Sequence, residues 1–117
     1  MKRGEIWTAA GGKDYAGKPR SVVIIQDDAF DASESITICA FTTDEIEAPS
    51  FRLLVQPSER NGLRVVCGLM LDKITTVPKS RLGMRIGSLD AAEMVRVNQA
   101  MLVFLGLARS TRAAAQR

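Results

Sequence analysis

The fold is decided by the stretch Gly17-Lys18-Pro19-Arg20-Ser21-Val22-Val23-Ile24-Ile25-Gln26. Its glycine and proline end a loop, and an unbroken run of β-branched residues follows them. Such a run predicts a strand that is buried on both faces. Arg20 would then have its backbone held by the core while the five N–H donors of its side chain face outward. The alternative interpretation is an ordinary solvated loop arginine.

Further short strands are predicted on both sides of this stretch. Apolar and polar residues alternate, turn residues separate the runs, and Asn61-Gly62 is a strong turn dipeptide. Strands this short and closely spaced predict a mainly β fold, a small barrel. They are expected at residues 4–9, 22–25, 36–42, 51–56, 63–71 and 72–77, the last two being two strands or one bent strand.

The loops between these strands differ in composition. Residues 10–17 contain three glycines and the ring of Tyr15, which predicts a mobile loop. Residues 27–35 form an acidic loop compatible with a helical turn, and residues 44–49 form another loop. Tyr15 could stack on a nucleotide base, although packing against the barrel rim is the commoner role for such a ring.

A helix is predicted only near the C-terminus, at residues 92–105. Asp90 is a good N-cap, and Glu93 three residues later completes a capping box. Gly106 is a natural stop. An apolar face, expected to pack on the barrel or on a partner subunit, is formed by Met94, Val97, Met101, Phe104 and Leu105.

Length and composition indicate one domain of an ordinary globular protein. The 117 residues suffice for one modest core, which we place at residues 1–107, with a frayed basic tail at 108–117. No apolar run reaches membrane-spanning length, and no apolar signal segment follows the first charges. Cys39 and Cys67 lie in apolar runs and are expected to be buried, reduced thiols of a cytoplasmic protein.

The sequence contains no histidine. This excludes a Ser-His-Asp triad, a Cys-His pair and a two-histidine ribonuclease, because each depends on an imidazole. Two thiols without metal-ligand spacing predict no metal site. Any catalysis must therefore rest on Arg, Lys, Thr, Ser, Asp, Glu or Tyr.

Charge is segregated along the chain, although the net charge is only +3. Residues 26–47 carry seven acidic and no basic side chains, whereas residues 52–85 carry seven basic and two acidic ones. The basic segments could hold a polyanion or an acidic partner, but solvated surface is the commoner meaning of such runs.

Taken in order, several segments of this chain resemble the MazF/PemK family of bacterial toxin endoribonucleases. Together they span Arg3 to Leu107. The matching segments are Arg3-Gly4-Glu5-Ile6-Trp7, Gly17-Lys18-Pro19-Arg20 with the strand after it, Phe41-Thr42-Thr43, Asp72-Lys73-Ile74-Thr75-Thr76-Val77, Leu82 with Arg85-Ile86-Gly87, and Phe104-Leu105-Gly106-Leu107.

The resemblance implies a homodimeric, SH3-like β-barrel with short helices and a C-terminal helix. It also implies metal-independent, sequence-specific cleavage of single-stranded RNA by 2′-OH attack, without a cofactor, and a cognate acidic antitoxin of the MazE type. By position, Arg20 and Thr42 match the family's active-site arginine and threonine. Asp72 matches an acidic site residue of some members. Lys18, Tyr15, Thr43 and Lys73 are the further residues that we expect to contact RNA.

The sequence departs from the family pattern at three places. Ser21 stands where a proline usually follows the arginine, and Met70 stands where one branch has a second arginine. An acidic run follows Thr43.

A non-catalytic RNA- or protein-binding module is the alternative function. A gyrase inhibitor of the same fold is disfavoured because residues 111–117 contain no aromatic side chain.

Overall fold

The computed structural model describes residues 1–10, 20–43 and 52–109. Most of the predicted loop at 10–17, the loop at 44–49 and nearly all of the predicted tail lie outside these residues. Within the described part, no helix is long and apolar enough to cross a membrane.

Seven antiparallel strands form one sheet. Its path is β4-β5-β3-β2-β1-β7, and β6 also pairs with β3. The predicted class, mainly β with a C-terminal helix, is confirmed; the described strands do not close on themselves, since β4 and β7 are the two ends of the path. The strands are β1 (Glu5–Ala9), β2 (Arg20–Ile24), β3 (Ser35–Thr42), β4 (Arg52–Val55), β5 (Cys67–Met70), β6 (Thr75–Pro78) and β7 (Leu82–Ser88).

Strand β3 is the centre of the sheet. Along one edge it pairs with β2, with Val22 opposite Ala40. Along its other edge it pairs first with β6 and then with β5. A 3-10 turn at Leu71–Lys73 separates β5 from β6. The alternatives for residues 63–77 are thereby resolved in favour of two short strands joined by a turn.

Strand β2 lies between two apolar cores, which confirms its predicted burial on both faces. Val23 belongs to the core on one face and Ile24 to the core on the other, and both side chains are 0% exposed. We call the first the helix-side core, because Val97 of the C-terminal helix belongs to it. The second, which we call the site-side core, consists of Ala9, Val22, Ile24, Ile36, Ile38, Ala40, Met70 and Leu82.

The predicted C-terminal helix is α1 (Ala91–Phe104). Asp90 and Glu93 form the expected capping box. At the other end Gly106 has a φ of +76°, and the Leu107 N–H donates to Leu102 O at 2.8 Å, which is a Schellman motif. Of the predicted apolar face, Met94, Val97 and Met101 pack on the helix-side core, whereas Phe104 and Leu105 are exposed in the single chain.

Two strand predictions need correction. Residues 63–66 are not a strand, and Val65 and Val66 are exposed there. Conversely, β7 was not predicted as a strand, because Gly83 and Gly87 interrupt its apolar pattern. Gly87 is explained by a close backbone approach, since a Cβ there would lie 2.4 Å from Arg60 O.

The Asn61-Gly62 turn makes this close approach. Gly62 has a φ of +69°, which favours glycine. The Asn61 side chain is fully buried and accepts the backbone N–H groups of Ser58 and Leu63 at 2.9 Å each. It also donates to Gln56 O at 2.8 Å. A single buried amide therefore bonds three backbone groups of the turn.

Asn61→Ala is expected to destabilise the fold by about 2–4 kcal/mol, because two backbone donors and one acceptor lose their partners. Urea denaturation measures this loss. Asn98→Ala is the matched control, since Asn98 is an exposed helical residue that accepts one bond from Arg3; we expect a change below about 1 kcal/mol. Equal losses in the two variants would contradict this account of the turn.

Candidate active site

A cavity of about 200 Å³ opens on the face of the sheet that carries the site-side core. Its floor is apolar and is formed by Ala9, Val22, Ile38, Ala40 and Val77. Its polar lining comes from Arg20, Lys73, Thr75 and Arg81, together with the backbone around Ala10. Three basic and no acidic side chains line it among the described residues. The cavity therefore suits an anion with some apolar surface.

The three cations come from three separate elements. Arg20 is the first residue of β2 and pairs with Ala9, the last residue of β1. Lys73 ends the 3-10 turn Leu71–Lys73, and Arg81 ends a second 3-10 turn at Lys79–Arg81. The Ala10 N–H donates to Arg81 O at 2.9 Å, which ties the second turn to the end of β1. Their backbones are thus held by strand pairing and turn hydrogen bonds.

Thr42 lies on the same face of the sheet, at the end of β3. Val22 is opposite Ala40, and Arg20 and Thr42 each lie two residues beyond this pair, toward the same end of β2 and β3. Thr42 is buried and pairs with Gly68 of β5. It is not among the cavity-lining residues. Thr43 follows it and is exposed.

Asp72 does not line the cavity. Its carboxylate accepts two hydrogen bonds from Arg52 of β4, from Nε at 3.3 Å and from Nη2 at 3.2 Å. The other two predicted contact residues, Tyr15 and Lys18, lie outside the described residues. The structure thus brings Arg20 and Lys73 into one cavity, leaves Thr42 at the end of β3 outside the cavity lining, and pairs Asp72 with Arg52.

Two residues of this region were not singled out from the sequence. Arg81 follows a proline and a serine in a segment without strand or helix periodicity, so nothing local marks it as a cavity residue. Arg52 is the second residue of the strand predicted at 51–56, and its partner lies 20 residues later in the chain. Only the pairing of β4 with β5 brings the two together.

Cys39 lies beneath this region, on the helix-side face of β3. Its thiol is fully buried and donates to Met70 O at 2.8 Å. Burial, together with the nearby Asp72 carboxylate, raises the pKa of Cys39 to about 12. Burial also raises the pKa of Cys67. Both cysteines are therefore neutral near pH 7, which is the wrong state for a nucleophile. Within the described ranges, no three Cys, Asp or Glu side chains come together as a set that could hold a metal ion.

Residues 2–105 match the family of PemK-like, MazF-like toxins of type II toxin–antitoxin systems. The chain belongs to this family. It is 52% identical over 108 residues to the probable endoribonuclease MazF of Mycolicibacterium smegmatis, with 92% of this chain and 99% of that protein covered. It is 28% identical over 117 residues to endoribonuclease MazF9 of Mycobacterium tuberculosis, with 92% and 98% covered. The resemblance drawn from the motifs is thus confirmed.

A solved structure of an endoribonuclease in complex with its cognate antitoxin, from a mycobacterial species, has the same fold as this MazF-family chain. The TM-score is 0.78 at 22% identity, with 94% of this chain and 99% of that chain covered. At this identity the likeness concerns the fold alone. It agrees with the strand order and C-terminal helix described above.

The raised pKa of Cys39 predicts a pH-dependent stability. Its thiol has a pKa of about 12 in the folded chain against 9.0 for an unperturbed thiol, so above pH 9 the unfolded chain loses a proton that the folded chain keeps. The stabilisation is complete below pH 9 and decreases toward pH 12, with a slope of about 1.4 kcal/mol per pH unit. Urea denaturation from pH 8 to pH 11 measures it, and Cys39→Ala should show a shallower decline. Equal slopes would contradict the assignment.

Proposed function

We propose that the basic cavity of this MazF-family toxin endoribonuclease is the place where single-stranded RNA is bound and cut, without a metal ion. The observation that carries this proposal is the convergence of Arg20, Lys73 and Arg81 on one cavity with an apolar floor. Phosphate oxygens match the guanidinium and ammonium donors, and the apolar floor suits a ribose or base edge.

The proposed chemistry needs no protein nucleophile. The 2′-oxygen of the ribose attacks the adjacent phosphorus, and the bond from phosphorus to the 5′-oxygen breaks. The 2′-OH loses a proton and the leaving oxygen gains one, so no water is consumed. The products are a 2′,3′-cyclic phosphate and a free 5′-OH. Because the RNA supplies the nucleophile, this mechanism is compatible with a chain that contains no histidine.

In this proposal Arg20 binds the scissile phosphate and stabilises the negative charge that develops on its oxygens. A guanidinium binds phosphate bidentately and stays protonated, so it suits this role better than that of a base. Thr42, at the end of the adjacent strand, supplies a hydroxyl donor without adding charge. Lys73 and Arg81 contact neighbouring phosphates, and we assign the same role to Lys18. Tyr15 and Thr43 contact the RNA beside them.

The partners follow from the same site. An acidic antitoxin segment would compete with RNA for the three cations, because both are polyanionic ligands. The related mycobacterial fold was solved with its cognate antitoxin, which supports this assignment. A homodimer is supported by apolar side chains exposed at the end of α1, which are Leu102, Val103, Phe104 and Leu105. Because RNA is the proposed substrate, we place the action of the protein in the cytoplasm. We assign this action to a domain of residues 1–107, which residues 108–117 follow as a tail.

Arg20→Ala is expected to lower the cleavage rate of a long RNA transcript by about 10²–10³, the usual loss for one preorganised donor to a developing oxyanion. The melting temperature should remain close to that of the wild type, because Arg20 begins the strand and its side chain faces the cavity. Arg109→Ala is the control, since it removes the same charge from an exposed position after α1. A folded, fully active Arg20→Ala protein would end this assignment.

Replacement of the 2′-OH by hydrogen at a cut site is expected to abolish cleavage there while cuts elsewhere in the RNA persist. The test uses matched all-ribose and single-deoxy oligonucleotides, with EDTA present, and mass spectrometry of the products. The all-ribose RNA should yield 2′,3′-cyclic phosphate ends. Cleavage of the deoxy site would refute the mechanism, and intact RNA in both samples would favour the binding-module alternative.

A further inference from the structure

We propose that Arg52 is a positioning residue of the RNA site, one that neutralises the Asp72 carboxylate so that it neither repels RNA nor serves as the general base. This inference rests on the function proposed above. Arg52 does not line the cavity, and its side chain is bonded to Asp72 in the turn that leads into it.

The placement follows from strand pairing. Arg52 lies opposite Met70 in the β4–β5 pair, and Met70 belongs to the site-side core. Asp72, two residues after Met70, lies in the 3-10 turn that follows β5, where its carboxylate is within hydrogen-bond distance of Arg52. The next residue, Lys73, lines the cavity. A carboxylate therefore stands in the turn that presents one of the three cations, where an uncompensated negative charge would weaken the attraction for phosphate.

The geometry shows how this charge is compensated. Arg52 donates from Nε to Asp72 Oδ1 and from Nη2 to Oδ2, at 3.3 and 3.2 Å, so each carboxylate oxygen accepts one bond. The two side chains are only 12% and 21% exposed. Water screens such a pair less than a surface pair. A carboxylate bound through both oxygens to a guanidinium is also a poor acceptor for the 2′ proton.

A buried ion pair of this kind is weak evidence for a role in stability. Arg52 Nη1 is buried and has no hydrogen-bond partner. Burial of two charges, with one donor unsatisfied, opposes folding, and replacement of such pairs by neutral residues is often harmless or stabilising. The charge of Asp72 also acts on its surroundings, since it contributes to the raised pKa of Cys39 on the neighbouring strand. A buried ion pair with an unsatisfied donor, in the turn that leads into the cavity-lining Lys73, therefore supports a role in the site.

The test compares Arg52→Gln, Asp72→Asn and the double variant in cleavage of a long RNA transcript. Arg52→Gln leaves the carboxylate uncompensated and should raise KM about two- to fivefold with kcat nearly unchanged. Asp72→Asn should lower KM or leave it unchanged, and the double variant should return to the wild-type KM. Arg52→Lys keeps the positive charge and should have a KM close to that of the wild type. The KM effect should shrink between 0.1 and 1 M salt, because the Debye length falls from about 10 to 3 Å.

Several results would overturn the inference. An unchanged KM in Arg52→Gln, or a double variant as weak as Arg52→Gln, would show that Arg52 does not act through the charge of Asp72. A lower kcat in Asp72→Asn would restore Asp72 as a base. If the pair has a purely structural role, both single variants should melt at a lower temperature than the wild type, and their KM values should show no salt-dependent difference from the wild type. If the wild-type protein left the transcript intact, the proposed function itself would fail. If the wild type cleaves RNA and Arg20→Ala does not, the proposed function holds, and the Arg52 variants then test the role of Arg52 alone.

Discussion

The rest of the structure depends on the burial of strand β2 on both of its faces. Val23 and Ile24 are each fully buried, on opposite sides of the sheet. A slip of one residue would exchange the two faces of the strand and carry Arg20 with it. The observed register pairs Val22 with Trp7 of β1 and with Ala40 of β3, and the close packing of both cores opposes a slip. The position of Arg20 at the entry of the strand is specified with this register.

The candidate site follows from this constraint. Strand ends and short turns meet at one edge of the site-side core, and Arg20, Lys73 and Arg81 extend from them around an apolar floor. Such a site can bind and polarise a phosphate, but it holds no imidazole to move protons. This suits RNA, since the ribose supplies the nucleophile and the protein needs only to position it and stabilise charge. In our proposal, Arg52 compensates the negative charge of Asp72 beside this cavity.

Predictions from the sequence were correct where the pattern behind them lies within a few consecutive residues. The Val22–Ile25 run, the alternation of β3, the Asn61-Gly62 turn and the capping box of α1 are contained in a few consecutive residues, and all were predicted correctly. Strand β7 was missed because Gly87 is there for a backbone approach to Arg60, which is distant in sequence. Strand β5 is shorter than the strand predicted at residues 63–71 for a similar reason. Residues 63–66 are apolar enough for a strand, but Asn61 holds Leu63 in the core while Val65 and Val66 face solvent.

By itself, the sequence determined the fold class, the strand that organises the sheet, the capped helix, the exclusion of imidazole chemistry and the family. The first four depend on local periodicity, turn chemistry and composition, which neighbouring residues express together. The family was indicated by the resemblance of ordered motifs between Arg3 and Leu107. Only the tertiary structure decided which charges face one another. Arg81 joins Arg20 and Lys73 because two turns and a strand entry meet at one cavity. Asp72 faces Arg52 because β4 and β5 pair in one register. Electrostatic interactions act through space, so the partner of a charge cannot be identified until the chain has folded.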